Sequence, residues 1–142
     1  MGREYKKRIK EQYGRPTVLG SDVLVGNATA LSGTINNQVL GSTANGIGTH
    51  FLARRAALDF VTFEIDTAEA AGPDVALWSN STLLASGILD NLQGHMWTWS
   101  QDQGNAVTLA SGSTLTMRYT VGTALDTNRA LQGRVGFSYL EA

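Results

Sequence analysis

Through the second half of the chain, apolar side chains recur at every second residue. In LDFVTFEID, Val61, Phe63 and Ile65 alternate with Thr62, Glu64 and Asp66. In STLTMRYTV, Leu115, Met117, Tyr119 and Val121 alternate with Thr114, Thr116, Arg118 and Thr120. Successive side chains of a strand point to opposite faces, so this period puts one face in a core and the other in water. RVGFSYLEA closes the chain with Val135, Phe137 and Tyr139 on one face. Between these segments DVALWS, TLLASGIL, HMWTWSQ and AVTLA are shorter apolar runs, bounded by turn signals at AGPD, DQGN and a Ser-Gly pair, and they predict further strands.

Upstream, TVLGSDVLVGNATALSGTINNQVLGSTANGIGTH reads as several short strands or extended segments punctuated by Gly20, Gly26, Gly33, Gly41, Gly46 and Gly48. The glycine spacing is uneven and forms no repeat. FLARRAAL, within GTHFLARRAALDF, fits a helical turn as well as a strand. Short strands at roughly 8–12-residue spacing, with no long helical pattern, predict an all-β body: an antiparallel β-sandwich or jelly roll, with a closed barrel as the main rival.

The first residues follow another pattern. In MGREYKKRIKEQYGRP, Tyr5, Ile9 and Tyr13 recur at i, i+4 and i+8 among cations, which predicts a short helix or an extended arm whose order depends on a surface to lie on. Gly14 and Pro16 end it. The chain therefore divides into an arm, 1–16, and a β-sandwich domain, 17–142.

Composition sharpens this division. A chain of 142 residues suits one compact core, and its 16% of charged residues is low, with Thr, Ser, Asn and 16 Gly in their place. The net charge of −1 hides an asymmetry: residues 1–15 hold six cations against two acids, net +4, and residues 16–142 hold five arginines against ten acids, net −5. Lys6, Lys7 and Lys10 are the only lysines. A basic arm on a mildly acidic body concerns partners more than fold.

Cysteine is absent, which excludes disulfides, thiolate metal sites and cysteine nucleophiles. No apolar segment follows the charged start, so no signal peptide is expected, and no window approaches the ~18 apolar residues of a membrane span. The acceptor patterns at Asn27 and Asn80 then carry no weight.

Candidate chemistry is sparse. His50 and His95 stand in no metal-spaced cluster, and no GxSxG elbow marks a serine. Glu64 and Asp66 share one strand face, which suits a solvated face better than a glycosidase pair. Asp66, Glu69 and Asp74 are too few for a calcium loop. No cofactor and no metal is expected. Trp97 and Trp99, two apart, share a face: they fill the core or a subunit interface, or they form an exposed platform for sugar rings. Nucleic acid is disfavoured as a partner by the arm's small net charge, and a membrane by its lack of Leu and Phe.

A basic arm, GREYKKRIKEQYGRP, joined through a Gly-rich segment to a small cysteine-free sandwich ending in STLTMRYTV and RVGFSYLEA, resembles bacteriophage head decoration, or cement, proteins. The resemblance implies a non-enzymatic structural protein of the virion, made in the host cytoplasm. Its partners would be the major capsid protein or neighbouring virion subunits, and its own state a homo-oligomer, by resemblance a trimer. Tyr5, Lys6, Lys7, Arg8, Ile9, Lys10 and Tyr13 are then the expected anchor. The alternative is a receptor- or glycan-binding module of a phage tail or fibre, with Trp97 and Trp99 as the stacking pair. A jelly-roll coat protein whose arm faces packaged nucleic acid ranks third, and an enzyme last.

Overall fold

The structure is a computed structural model, which describes residues 18–31, 34–41, 48–67, 72–90, 94–101, 106–122 and 129–141. The arm and the anchor residues expected on it lie outside the described residues.

The described residues form ten strands: β1 (Val18–Leu31), β2 (Ile35–Val39), β3 (Thr49–Phe51), β4 (Ala56–Ile65), β5 (Asp74–Ser79), β6 (Thr82–Ile88), β7 (Met96–Ser100), β8 (Thr108–Leu109), β9 (Thr114–Val121) and β10 (Arg129–Leu140). They make two five-stranded antiparallel sheets, packed as a β-sandwich. The first sheet runs β1-β10-β4, and β7 and β8 lie end to end along the far side of β4. The second runs β9-β5-β6, with β2 and β3 end to end along the other side of β9.

The period-two alternation becomes the core. Val61, Phe63 and Ile65 of β4, and Leu115, Met117, Tyr119 and Val121 of β9, are buried with Leu40, Leu52, Leu77, Leu131, Val135 and Phe137. In β4 the pairing with β10 shifts between Phe60 and Leu58, a bulge at Asp59. The extra residue changes the phase, so both Leu58 and Val61 face inward.

Two upstream segments differ from the simplest reading of their sequence. β1 is one strand of 14 residues, although Gly20 and Gly26 stand inside it, because β10 offers a matching ladder along almost its whole length. FLARRAAL contains no helix: β3 ends at Phe51 and β4 begins at Ala56. Its backbone bonds go to distant segments instead, the turn before β9 and the end of β10. Leu52 N–H donates to Ser113 O at 2.8 Å, Gly112 N–H to Leu52 O at 2.7 Å and Leu140 N–H to Arg55 O at 2.9 Å.

The sheets meet where large side chains of one lie over glycines of the other. Gly26 and Gly133 face each other across β1 and β10, and a Cβ on either would lie within 3 Å of Met117 of the opposite sheet, near Cε and Sδ respectively. A Cβ on Gly26 would also meet the backbone oxygen of Leu40 at 2.9 Å. Around Met117 the edge of β9 passes from one partner to the next: Leu40 N–H donates to Met117 O, and Met117 N–H donates to Gly48 O, each at 2.8 Å. Gly48 takes φ +64° there, and a Cβ would sit 1.6 Å from Leu40 O, so only glycine fits.

Two outcomes test this packing. Gly26→Ala meets fixed backbone and should destabilise by about 1–3 kcal/mol, more than Gly133→Ala, whose added methyl meets only side-chain atoms. Met117→Ala should relieve much of the Gly133→Ala cost and less of the Gly26→Ala cost in urea denaturation of the double variants. Burial pushes the Tyr119 hydroxyl above its ordinary pKa of 10.0, so the fold favours the neutral phenol. That contribution is complete below the ordinary value and is lost as pH rises through the raised one. Thermal melts should show stability falling in this alkaline range for the native chain, and falling less for Tyr119→Phe.

Candidate functional site

The outer face of the second sheet carries a groove of about 590 Å³. Strand register builds it from three cross-strand rows, because residues paired across antiparallel strands share a face. Arg118, Ala76 and Ser86 form the middle row, Thr120, Asp74 and Ile88 lie on one side, and Thr116, Trp78 and Leu83 on the other. In the middle row the small side chains of Ala76 and Ser86 keep the floor low, between Trp78 and Leu83 at one end and Ile88 at the other.

One wall is a bulge. β2 loses register between Ile35 and Gln38, where Asn37 takes φ 44°. Outward side chains of β9 hold the bulge: Arg118 Nη1 donates to Asn37 O at 2.8 Å, and Asn37 N–H donates to Thr120 Oγ1 at 3.0 Å. The floor is thin at Gly87, where a Cβ would lie 2.6 Å from the Trp97 indole, and Trp97 lines the groove there from beneath. Trp78 Nε1 is a buried donor with no acceptor among the described residues.

This places the sequence-predicted aromatics. Trp97 and Trp99 pair with Phe63 and Val61 and share the inner face, partly buried against the core, with Trp97 tilted 37° to Phe63 at 6.2 Å. The tryptophan on an outer face is Trp78, which the sequence reading passed over. Its signal was present: in DVALWS, Val75 and Leu77 mark the inward phase, and Trp78 is out of phase with them.

The remaining candidates are scattered. Glu64 and Asp66 are exposed at one end of the first sheet, beside a cleft of about 400 Å³ with Asn27, Thr29 and Gln132. Asp74 lies on the other sheet, and Glu69 is outside the described residues. Among the described residues no group of three or more His, Asp or Glu could hold a metal ion. His95 is exposed. His50 joins the sheets, with Nε2 3.4 Å from Tyr139 Oη and its ring 5.1 Å from that of Phe137. No helix among the described residues is long and apolar enough to cross a membrane. The groove offers an apolar floor and a few fixed polar groups, which is the chemistry of recognition.

The class this architecture defines is the antiparallel two-sheet β-sandwich, with a likeness of fold to a chain of a phage capsid structure. The sequence matches no family model and no curated protein. In three dimensions the chain is similar to one in the acidic stable capsid structure of Helicobacter pylori bacteriophage KHP30. That match has 13% identity and a TM-score of 0.54, covering 87% of this chain and 91% of that one. It is also similar to a chain of the cyanophage Pam1 capsid asymmetric unit, at 16% identity and TM-score 0.49, covering 88% and 90%. The globular domain of zebrafish complement 1qA is a further match, at 13% identity and TM-score 0.46, covering 86% and 99%. At such identities the likeness is one of fold.

Inner and outer tryptophans should respond differently to truncation. Trp97→Ala should cost about 2–4 kcal/mol in chemical denaturation, as loss of a core-packed aromatic does. Trp78→Ala, on the solvent side of its strand, should cost about 1 kcal/mol or less, as loss of cross-strand contacts does.

Proposed function

We propose that this chain is a structural protein of a phage virion, a decoration protein that attaches to the capsid and acts by adhesion rather than catalysis. The observation that carries the reading is the likeness to the KHP30 capsid chain, which spans about nine-tenths of both molecules. The surface chemistry supports it. The outer faces are rich in Thr, Ser and Asn, side chains that lose little rotamer entropy when an interface covers them. Binding energy then comes from area and from many copies on a lattice.

In this reading Tyr5, Lys6, Lys7, Arg8, Ile9, Lys10 and Tyr13 anchor the arm on the major capsid protein or a neighbouring virion subunit, and the body assembles as a homo-oligomer. The division of labour is physically workable because the first described strand begins at Val18, beyond the residues assigned to the arm. A second reading, a glycan- or receptor-binding module of a tail or fibre, draws on the groove over Trp78. There Trp97 would act only through the window at Gly87.

Removing residues 1–16 should leave the circular dichroism and melting temperature of the body unchanged. The same deletion should weaken co-sedimentation with capsids of the encoding phage about tenfold or more, and the full chain's attachment should weaken as salt rises. Equal attachment of the two forms would remove the anchoring role from the arm.

A further inference from the structure

An unpaired edge strand presents a row of backbone N–H and C=O groups to any passing strand, and native proteins shorten, split, bulge or charge such edges. Three of the four edges here obey that rule. β6 has seven residues and a register break against β5. The far edge of the first sheet is divided between β7 and β8, and that of the second between β3 and the bulged β2.

β1 departs from the rule. It has 14 residues, its pairing with β10 is unbroken from Gly20 to Ala28, and no other described strand pairs with its outer side. Asp22 is its only charge, and lysine, the usual edge guard, occurs only within residues 1–10 of the chain. Val23 donates its backbone N–H to Asp22 Oδ1 at 2.8 Å, so that group points away from β10. By the two-residue period, the backbone groups of Ser21, Val25 and Asn27 face the same open side. The side chains of Val23 and Val25 stand on the outer face, 47% and 37% exposed.

We propose that β1 pairs antiparallel with β1 of a second copy about a two-fold axis at Leu24, joining the two first sheets into one. The second copy is the fitting occupant because the edge is complementary to itself. An axis at the centre of the unbroken segment sets Val23 of each copy opposite Val25 of the other, an apolar β-branched pair whose backbone groups face each other. It sets each Asp22 opposite Gly26 and holds the two carboxylates about 14 Å apart along the strands, so like charges do not meet. Asp22 then releases the Val23 N–H to the new ladder. The proposal deepens the homo-oligomer part of the function above and rests on it, but this interface closes at two copies, where the resemblance implies three.

Sedimentation velocity of the full chain over a concentration series should show a reversible dimer. Val23→Lys/Val25→Lys should be monomeric at the same concentrations with unchanged circular dichroism. Because the sequence lacks cysteine, mixing Val23→Cys chains with Val25→Cys chains under mild oxidation should cross-link them, and either alone should cross-link far less. The cysteine pair decides the matter if the lysine variant fails to fold. A native chain that stays monomeric overturns both the dimer and the homo-oligomer reading. An oligomer that survives the lysine pair, or cross-linking no better in the mixture than in either variant alone, overturns this interface only. Attachment to capsids tests the virion reading independently of each result.

Discussion

The spacing of the two sheets depends on Met117. Its thioether lies over the paired glycines of β1 and β10, and there is no room for a methyl group on either. Where side chains normally separate stacked sheets by about 10 Å, two facing glycines let one long side chain reach the opposite backbone. The same residue's N–H and C=O carry the edge of β9 from β2 to β3, through Gly48 and Leu40. Packing between the sheets and pairing at an edge are thus set at one position, and a change there is felt in both.

A second contact of this kind shapes the outer surface. Trp97 fills the space that Gly87 leaves, which makes the floor of the groove on the second sheet thin. The groove's other limits come from register: the bulge at Asn37, held by Arg118 and Thr120, and the row that brings Trp78 opposite Leu83. Nothing in the fold alone selects a ligand or partner, since one architecture can host many unrelated functions. Surface features therefore stand beside the likeness of fold: low charge, a basic first segment and one long edge that no other described strand covers.

The parts of the fold legible in sequence were those with strict period two. β4 and β9 are buried on the alternation that LDFVTFEID and STLTMRYTV display, and the strands in DVALWS and TLLASGIL lie where the apolar runs place them. Less legible were segments whose conformation depends on distant partners. Gly20 and Gly26 read as breaks, yet β10 carries β1 through both. FLARRAAL was open between helix and strand, and bonds to Ser113, Gly112 and Leu140 decided it. The bulge at Asp59 changed the phase of β4 in a way that no local pattern announces.

By itself, the sequence determined the fold class, the charge contrast between residues 1–15 and the rest of the chain, and the shared face of Trp97 and Trp99. Each of these follows from local period or from charge counted along the chain. Only the tertiary structure decided that this shared face is the inner one, that Trp78 is the outward indole, and that β1 is an edge strand among the described strands. Those properties belong to pairs of strands far apart in sequence, and alternation reports that a strand has two faces without saying what lies against either of them.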